Sequence, residues 1–228
     1  MQTIGIMGAM PEEVTLLAGA LENMAAEEYA GVTYYRGHRG GKKVVVCCAG
    51  MGKANAAATT QVLITRYGVG AIFFSGIAGN TSEAIGIGDV VIGKTLCYHD
   101  AENRMLAQSA PNTALYTADP ALVEAARQGC ELTGVRYLVG KIATGDCFVG
   151  DGATKRRIVA ACAPDCVEME GAAVAQIAMR NKVPFVVIRA MSDNSDTSIH
   201  TLGAENFEIE AYVKTASAIT MAAVDSLP

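Results

Sequence analysis

The amino-acid sequence predicts an α/β fold with a central mixed, twisted sheet that is flanked by helices. Short apolar runs such as Thr3–Gly8 end in glycine turns, and most are followed by a stretch of helical length and composition. Antiparallel strands are also expected, because the tight turn 40–42 joins Val32–Arg39 to residues 43–48. We therefore expect strand–helix units with an antiparallel extension.

The other elements follow in chain order. A strand that runs into a glycine loop is expected within residues 71–80, with the loop containing Ile77, and further strands are expected at 90–96, 136–143, 167–170 and 184–193. Helices are expected after Pro11, after Asn55 through Tyr67, from Asp119 to near Gly134, over 153–162, after Gly171 and over 204–226. Residues 101–118 lack clear periodicity, and a loop of this length is usually functional or lies at an interface.

Length and composition limit the possible functions. With 228 residues, 51% of them apolar, the chain can bury a substantial core, and we expect a single domain over 1–228. The net charge of -5 and the lack of a basic cluster argue against nucleic acid or an anionic membrane as a partner. Seven cysteines without metal-like spacing are typical of buried thiols in a reducing cytoplasm. Neither a signal peptide nor a membrane span is expected.

Two carboxylates, Glu168 and Glu170, stand where a short strand is expected to end, with Met169 between them. In parallel α/β sheets, ligands bind in the crevice at the carboxyl ends of the strands. This set suits a neutral polyol such as ribose, because carboxylates accept hydrogen bonds from hydroxyls and a thioether packs against a sugar face. Alternatively, Glu170 only favours the first turn of the next helix through the helix dipole.

A second strand end also delivers carboxylates, since Glu12 and Glu13 follow Pro11 at the start of a helix. The spacing of Gly5 and Gly8 is not that of the dinucleotide fingerprint, which argues against a dinucleotide site.

The turn Gly50-Met51-Gly52-Lys53 opens a long helix and allows two interpretations. Backbone amides at a helix start bind anions, and Lys53 would suit a phosphate. However, the Walker spacing is absent, and glycines at such a turn are as often required by backbone geometry alone.

Two further groups at strand ends are ambiguous. His99 and Asp100 are adjacent, but neighbours on a strand point to opposite faces, and no nucleophilic Ser or Cys motif accompanies them. We interpret this pair as structural. Phe148 follows another strand, where an aromatic ring either stacks on a flat base or fills the core.

Arg189 lies inside an otherwise apolar strand and must pair with an acid, because an unpaired buried charge is very costly. The available acids are Glu13 and either Glu168 or Glu170. The same strand ends at Asp193, which adds another carboxyl group.

If the strands form one sheet, a single edge carries Glu13, Phe148, Met169, Glu170, Arg189 and Asp193. This set contains a flat apolar ring, an acid to hold a sugar, a possible base and a possible acid. Cleavage of a nucleoside at its N-glycosidic bond needs these parts, because its oxocarbenium-like transition state requires an activated water on one side and a protonated leaving group on the other.

Seven motifs occur together in the chain: Gly8-Ala9-Met10-Pro11-Glu12-Glu13-Val14, Gly50-Met51-Gly52-Lys53, Ser75-Gly76-Ile77-Ala78-Gly79, Tyr98-His99-Asp100-Ala101, Thr144-Gly145-Asp146-x-Phe148, Val167-Glu168-Met169-Glu170-Gly171 and Arg189-Ala190-Met191-Ser192-Asp193. Each is weak alone, but the set is highly specific. Over nearly its whole length the sequence resembles the bacterial 5'-methylthioadenosine/S-adenosylhomocysteine nucleosidases. These belong to the purine nucleoside phosphorylase superfamily, so a nucleoside phosphorylase-like fold is implied.

The resemblance implies catalytic roles for four residues. Glu13 would activate the attacking water, with Glu12 a solvated neighbour, and Arg189 would orient that water and balance the acids. Asp193 would donate to N7 of adenine, and Ser192 would fix its rotamer. A donating Asp193 must be protonated, which a nearby cation disfavours, so we predict that Arg189 pairs with Glu13 or another acid and not with Asp193.

The resemblance also implies how the substrate binds. Glu170 would accept from the ribose hydroxyls, Met169 would pack on the sugar, Phe148 would stack on adenine and the Val149 backbone would read its Watson–Crick edge. The apolar pocket for the 5' substituent would be lined by Met10, Met51 and Phe207. Ile77 lies where many relatives carry Ser and others an aliphatic residue, so no water-binding hydroxyl is expected there.

The family implies a homodimer in which the partner's loop near residues 100–112 closes the pocket, with no metal or organic cofactor. Residues 102–108 lack the aromatic-rich pattern common in relatives, which leaves the preferred 5' substituent open. Three other functions compete: a phosphorylase with residues 50–53 as its phosphate cradle, an aminodeoxyfutalosine nucleosidase, and a nucleoside-binding sensor without catalysis.

Overall fold

The computed structural model describes residues 3–198 and 209–228. In this part of the chain, ten strands form one mixed sheet with helices on both faces, as the sequence predicted. The strands are β1 Thr3–Gly8, β2 Glu22–Tyr29, β3 Val32–Arg39, β4 Lys42–Cys48, β5 Val69–Asn80, β6 Val90–Tyr98, β7 Tyr116–Thr117, β8 Tyr137–Thr144, β9 Cys166–Glu168 and β10 Phe185–Asp193. The helices are α1 Pro11–Gly19, α2 Lys53–Tyr67, α3 Asn103–Leu106, α4 Pro120–Thr133, α5 Gly152–Cys162, α6 Gly171–Arg180 and α7 Ile209–Ser226.

The sheet has an extended part and a closed part. The strand order is β10-β6-β8-β9-β5-β1-β4-β3-β2, and β10 also pairs with β5, so five strands close into a ring. β1 is parallel to β4 and β5, and β5 is parallel to β10, so these strands end on the same side. Glu13, which follows β1, and Asp193, the last residue of β10, therefore lie at one edge of the sheet.

Apolar side chains cover both faces of the sheet. On one face, α2 and α6 contribute Ala56, Leu63 and the buried alanines between Ala172 and Ala178. On the other, α1, α4 and α7 contribute Val14, Leu17, Leu122, Ala126 and Ile219. Because both faces are covered, the central strands read as continuous apolar runs.

Four elements differ from the sequence expectations. β2 was not predicted, because its residues are mostly exposed and lack an apolar alternation. The segment 76–80 is not a loop but continues β5, whereas β9 ends at Glu168, two residues early. The stretch 101–118 is not entirely irregular, since it contains the short α3 and β7. The last helix is described only from Ile209, so its expected start at 204 lies outside the described residues.

In the described residues, no helix is both long and apolar enough to cross a membrane.

Candidate active site

One cleft at the carboxyl edge of the sheet contains most of the predicted site residues. The cleft encloses a cavity volume of about 170 Å³ and is partly open to solvent. The side chains around it include the predicted Met10, Glu13, Met51, Ile77, Phe148, Val149, Met169, Glu170, Ser192 and Asp193. Residues that are far apart in the chain thus lie around one cleft, as expected if the strands form a single sheet.

Glu13 is a buried carboxylate fixed by backbone amides. Its Oε2 accepts from the amides of Ala9 at 2.6 Å and Met10 at 3.1 Å, and its Oε1 accepts from Ile77 at 3.1 Å. Burial raises the pKa of Glu13, and Arg189 and these amides partly offset that increase. A carboxylate held this way keeps a free acceptor site for a water on Oε1, because each oxygen has two lone pairs.

Glycine at position 76 allows Glu13 and Arg189 to approach β5. A Cβ there would lie 2.5 Å from Glu13 Oε1 and 2.6 Å from Arg189 Nη1. Gly79 does the same for the other acid, since its Cβ would lie 2.9 Å from Asp193 Oδ1. The glycines of this segment therefore provide space for charged groups on either side of one strand.

Arg189 is completely buried beneath the cleft and pairs with Glu168. Its Nη2 donates to Glu168 Oε2 at 2.6 Å and lies 3.7 Å from Glu170 Oε2, and the guanidinium stacks 4.0 Å from the ring centre of Phe74. No ion pair joins it to Asp193 among the described residues. Arg189 is not one of the side chains that line the cleft.

Glu168, which the sequence offered as an ion-pair partner for Arg189 or as one of two carboxylates for a sugar, makes several of the contacts that hold the site together. Its Oε2 accepts from the amides of Glu170 at 3.1 Å and Gly171 at 2.6 Å, so it caps helix α6. Its other oxygen accepts a short hydrogen bond from the hydroxyl of Thr144. The role that helix-dipole arguments gave to Glu170 is thus performed by Glu168.

Glu170 points toward the cleft and carries no capping hydrogen bond. Its Oε1 accepts from the Gly52 amide at 2.8 Å. Burial, with the nearby Glu168 carboxylate, raises the pKa of Glu170 to about 7, although Arg189 and the Gly52 amide oppose this shift. The group is therefore a buried acceptor whose ionisation falls near neutral pH.

Asp193 is the last residue of β10 and lines the same cleft as Glu13. Its Oδ2 accepts from the Ser192 hydroxyl at 2.9 Å, and its Oδ1 accepts from the Ser195 amide at 2.8 Å. Ser192 also donates toward the carbonyl of Ala78, at 3.3 Å. Both oxygens of Asp193 are thus oriented by neighbours on its own chain segment.

The wall of the cleft is apolar and partly open. Phe148 is 42% exposed and Met51 is 62% exposed, whereas Val149 is buried. Phe207 lies outside the described residues, but Ile209, two positions later, lines the cleft. Ile209, Cys147 and Ser195 also line the cleft, although the sequence did not indicate them. Each lies within two positions of a predicted site residue: Phe207, Phe148 and Asp193, respectively.

At the turn 50–53, which leads into α2, the groups that could bind a phosphate donate to carboxylates instead. The Gly52 amide donates to Glu170, the Lys53 amide donates to Asp146 Oδ1 at 2.8 Å, and Lys53 Nζ donates to both oxygens of Asp100 at 2.8 and 2.7 Å. Asp100, half of the His-Asp pair interpreted as structural, is thus an ion-pair partner. Three acidic groups near this turn disfavour an anionic ligand.

The fold and the cleft define a member of the phosphorylase superfamily: the model of that family matches residues 3–225, and the chain belongs to it. The chain is 38% identical over 202 residues to the 5'-methylthioadenosine/S-adenosylhomocysteine nucleosidase of Psychromonas ingrahamii, covering 83% of this chain and 85% of the relative. The resemblance seen in the sequence is therefore confirmed.

Two solved structures extend the comparison. The 5'-methylthioadenosine/S-adenosylhomocysteine nucleosidase from Neisseria meningitidis, in complex with methylthio-immucillin-A, superposes with a TM-score of 0.92 at 30% identity and covers 100% of both chains. The futalosine hydrolase of Helicobacter pylori superposes with a TM-score of 0.91 at 28% identity, covering 99% of this chain and 98% of the other.

Proposed function

We propose that this protein hydrolyses the N-glycosidic bond of 5'-methylthioadenosine, S-adenosylhomocysteine and related 5'-substituted adenosines, releasing adenine and the 5'-substituted ribose. The observation that carries the proposal is that Glu13 and Asp193, 180 positions apart in sequence, line the same cleft. The names of the relatives support the same reaction.

In this mechanism Glu13 is the base. It accepts a proton from a water that attacks the anomeric carbon as the bond to adenine lengthens. The amides of Ala9, Met10 and Ile77 support this role, because they keep the carboxylate in place and favour its charged form. Arg189 acts from beneath the cleft by neutralising the acids, and it orients the water through Glu13.

Asp193 is the acid in this mechanism. It donates a proton to N7 of adenine, which makes the base a better leaving group. The hydroxyl of Ser192 fixes its rotamer. Pairing of Arg189 with Glu168 supports the assignment, because it keeps the cation away from a carboxyl group that must be protonated to donate.

The remaining side chains bind the substrate. Glu170 accepts from the ribose hydroxyls, Met169 packs on the sugar, and Phe148 stacks on adenine while the Val149 backbone reads its edge. Met10, Met51 and Ile77 line the region for the 5' substituent, with Phe207 assigned to the same pocket on sequence grounds. The apolar wall of the cleft supports this division.

Water, and not phosphate, is the nucleophile. The phosphorylase alternative used residues 50–53 as a phosphate cradle, but the amides of Gly52 and Lys53 and the Lys53 ammonium already donate to carboxylates. The test is adenine release from 5'-methylthioadenosine, measured with and without inorganic phosphate. Equal rates are expected, and strict dependence on phosphate would reject hydrolysis.

The similarity to a futalosine hydrolase structure supports including aminodeoxyfutalosine as a second candidate substrate. A substrate panel read out as free adenine decides between the candidates. We expect 5'-methylthioadenosine and S-adenosylhomocysteine to give the highest kcat/KM.

We also propose a cytoplasmic homodimer that acts in methionine salvage, with the partner's residues 100–112 closing the 5' pocket. Exposed apolar side chains support an interface there: Met105 in that segment is 67% exposed, and Met51 at the cleft mouth is 62% exposed. Sedimentation of the protein should give twice the chain mass of 23.7 kDa.

A further inference from the structure

Three charged residues join three chain segments near the cleft, and none of them has a role in the catalysis proposed above. Lys53 is the first residue of helix α2, Asp100 follows β6 and Asp146 follows β8. Lys53 Nζ donates to both oxygens of Asp100, and Asp100 Oδ2 accepts from the Asp146 amide at 2.8 Å. The Lys53 amide donates back to Asp146 Oδ1 at 2.8 Å, which completes a ring of contacts.

The neighbours of this ring are substrate-facing groups. On one side, Gly52 donates its amide to Glu170, the proposed ribose acceptor, at 2.8 Å. On the other side, Cys147, Phe148 and Val149 follow Asp146 directly and line the proposed adenine wall. The ring therefore connects the sugar end of the cleft to the base end.

The backbone at Gly52 depends on its surroundings. Its φ is 96°, a conformation that favours glycine, and it serves as the N-cap of α2 without a side-chain cap. The amides at the start of a helix lack partners within the helix. Here the amides of Gly52 and Lys53 are directed onto two separate carboxylates, so a shift of the turn would misalign both.

We propose that Lys53, Asp100 and Asp146 are positioning residues for the proposed hydrolysis, which align the Gly52 amide with Glu170 and fix the Phe148 segment against the cleft. The inference rests on the proposed function. None of the three has to touch the substrate; each acts through Gly52 or Phe148.

The alternative is that these contacts only contribute to folding. Ion pairs with partly exposed side chains contribute little to stability, and those of Lys53 and Asp100 are 24% and 25% exposed. A positioning role makes a different prediction, because the Gly52 amide is one of the groups that keep the pKa of Glu170 from rising further.

The experiment compares Lys53→Met, Asp100→Ala and the double variant. Arg39→Met is the control, since Arg39 forms a partly exposed ion pair with Asp225 and neither residue lines the cleft. We expect each single variant to lower kcat/KM for 5'-methylthioadenosine by about tenfold, mainly through KM, with no change in Tm beyond that of the control. The double variant should lose little more, because both changes break one unit.

A second readout does not need catalysis. The NMR chemical shift of the Gly52 amide proton should change with pH as Glu170 ionises. In the wild type the midpoint of this change should lie near the Glu170 pKa of about 7. Lys53→Met removes a positive charge and Asp100→Ala a negative one, so simple charge effects would move this midpoint in opposite directions. Loss of the hydrogen bond from the Gly52 amide to Glu170 should instead raise the midpoint in both variants.

The outcomes separate the two proposals. Midpoints that move in opposite directions, or variants with wild-type KM and wild-type midpoint, would overturn the positioning role. A wild type that releases no adenine from any substrate would overturn the hydrolysis, while the Gly52 titration would still decide the alignment.

Discussion

Arg189 and Glu168 form an ion pair of 2.6 Å in which both side chains are almost completely buried. Glu168 also caps α6, so the arginine is fixed to the helix that follows Glu170, the proposed ribose acceptor. This pairing determines where the positive charge of the site lies: beside Glu168, Glu170 and Glu13, and not on Asp193. The acid and the base of the proposed mechanism are thereby placed in different electrostatic surroundings, as catalysis by two carboxyl groups requires.

Replacement of Glu13 tests the base. Glu13→Gln keeps the shape but cannot take a proton from water, and we expect kcat to fall by about 100- to 10,000-fold. Binding of a non-hydrolysable substrate analogue, measured by calorimetry, should change little. The matched control is Glu12→Gln, because Glu12 is exposed and no site contact has been assigned to it. Equal losses in the two variants would contradict the assignment.

Replacement of Asp193 tests the acid through the leaving group. Asp193→Asn should lower kcat for 5'-methylthioadenosine by about 100- to 10,000-fold. A 5-methylthioriboside with a nitrophenolate leaving group needs no proton, so its hydrolysis should stay close to the wild-type rate. Ser192→Ala removes only the hydroxyl bond to Asp193 and should have a smaller effect. If both substrates slow equally, Asp193 is not the proton donor.

Glu170 predicts a pH dependence. Burial raises its pKa from 4.5 to about 7 in the folded protein, so the native state binds more protons than the unfolded state between these values. Its contribution makes the free energy of unfolding fall as pH rises from 4.5 to about 7, on the order of 1 kcal/mol per pH unit.

Activity should show the opposite trend. Below about pH 7 the protonated Glu170 loses its charge as a ribose acceptor, so kcat/KM should decline as the pH falls.

Urea titrations from pH 4 to 8 measure the stability trend in the wild type and in Glu170→Gln. The variant should lack this part of the slope; an unchanged slope would show that Glu170 does not titrate there.

Gly76 predicts a steric effect. A methyl group at this position would meet Glu13 Oε1 and Arg189 Nη1, so Gly76→Ala should destabilise the protein by about 1–3 kcal/mol and reduce kcat more than KM. Gly19→Ala is the control, because nothing lies within 4 Å of a Cβ there. It should be neutral or slightly stabilising in Tm measurements. A Gly76→Ala variant with wild-type Tm and kcat would contradict the close approach.

Much of the fold followed from local pattern. β1, β4 and β10 are short apolar runs, and the ends of α2 and α4 carry glycine or proline signals. β2 escaped prediction because an edge strand with mostly exposed residues has no apolar period to detect. The extension of β5 through residues 76–80 was missed because Gly76 and Gly79 suggest a loop unless the strand partners of this segment are known.

The sequence indicated which residues form the site but not how these residues contact one another. The strand-end rule brought Glu13, Glu170 and Asp193 together, and the cost of a buried cation required an acid for Arg189. Which acid it pairs with, and the ring of Lys53, Asp100 and Asp146, depend on the separation of side chains from different elements, and sequence spacing carries no such distance.

The sequence by itself determined the fold class and the groups at the strand ends, because apolar runs and turn residues are local properties, and the resemblance of its seven motifs indicated the family. Only the tertiary structure decided that Glu168 takes the charge of Arg189 and that the Gly52 amide is directed onto Glu170. Such choices depend on differences of about 1 Å between competing partners in a low-dielectric interior, where electrostatic energies vary steeply with distance and burial.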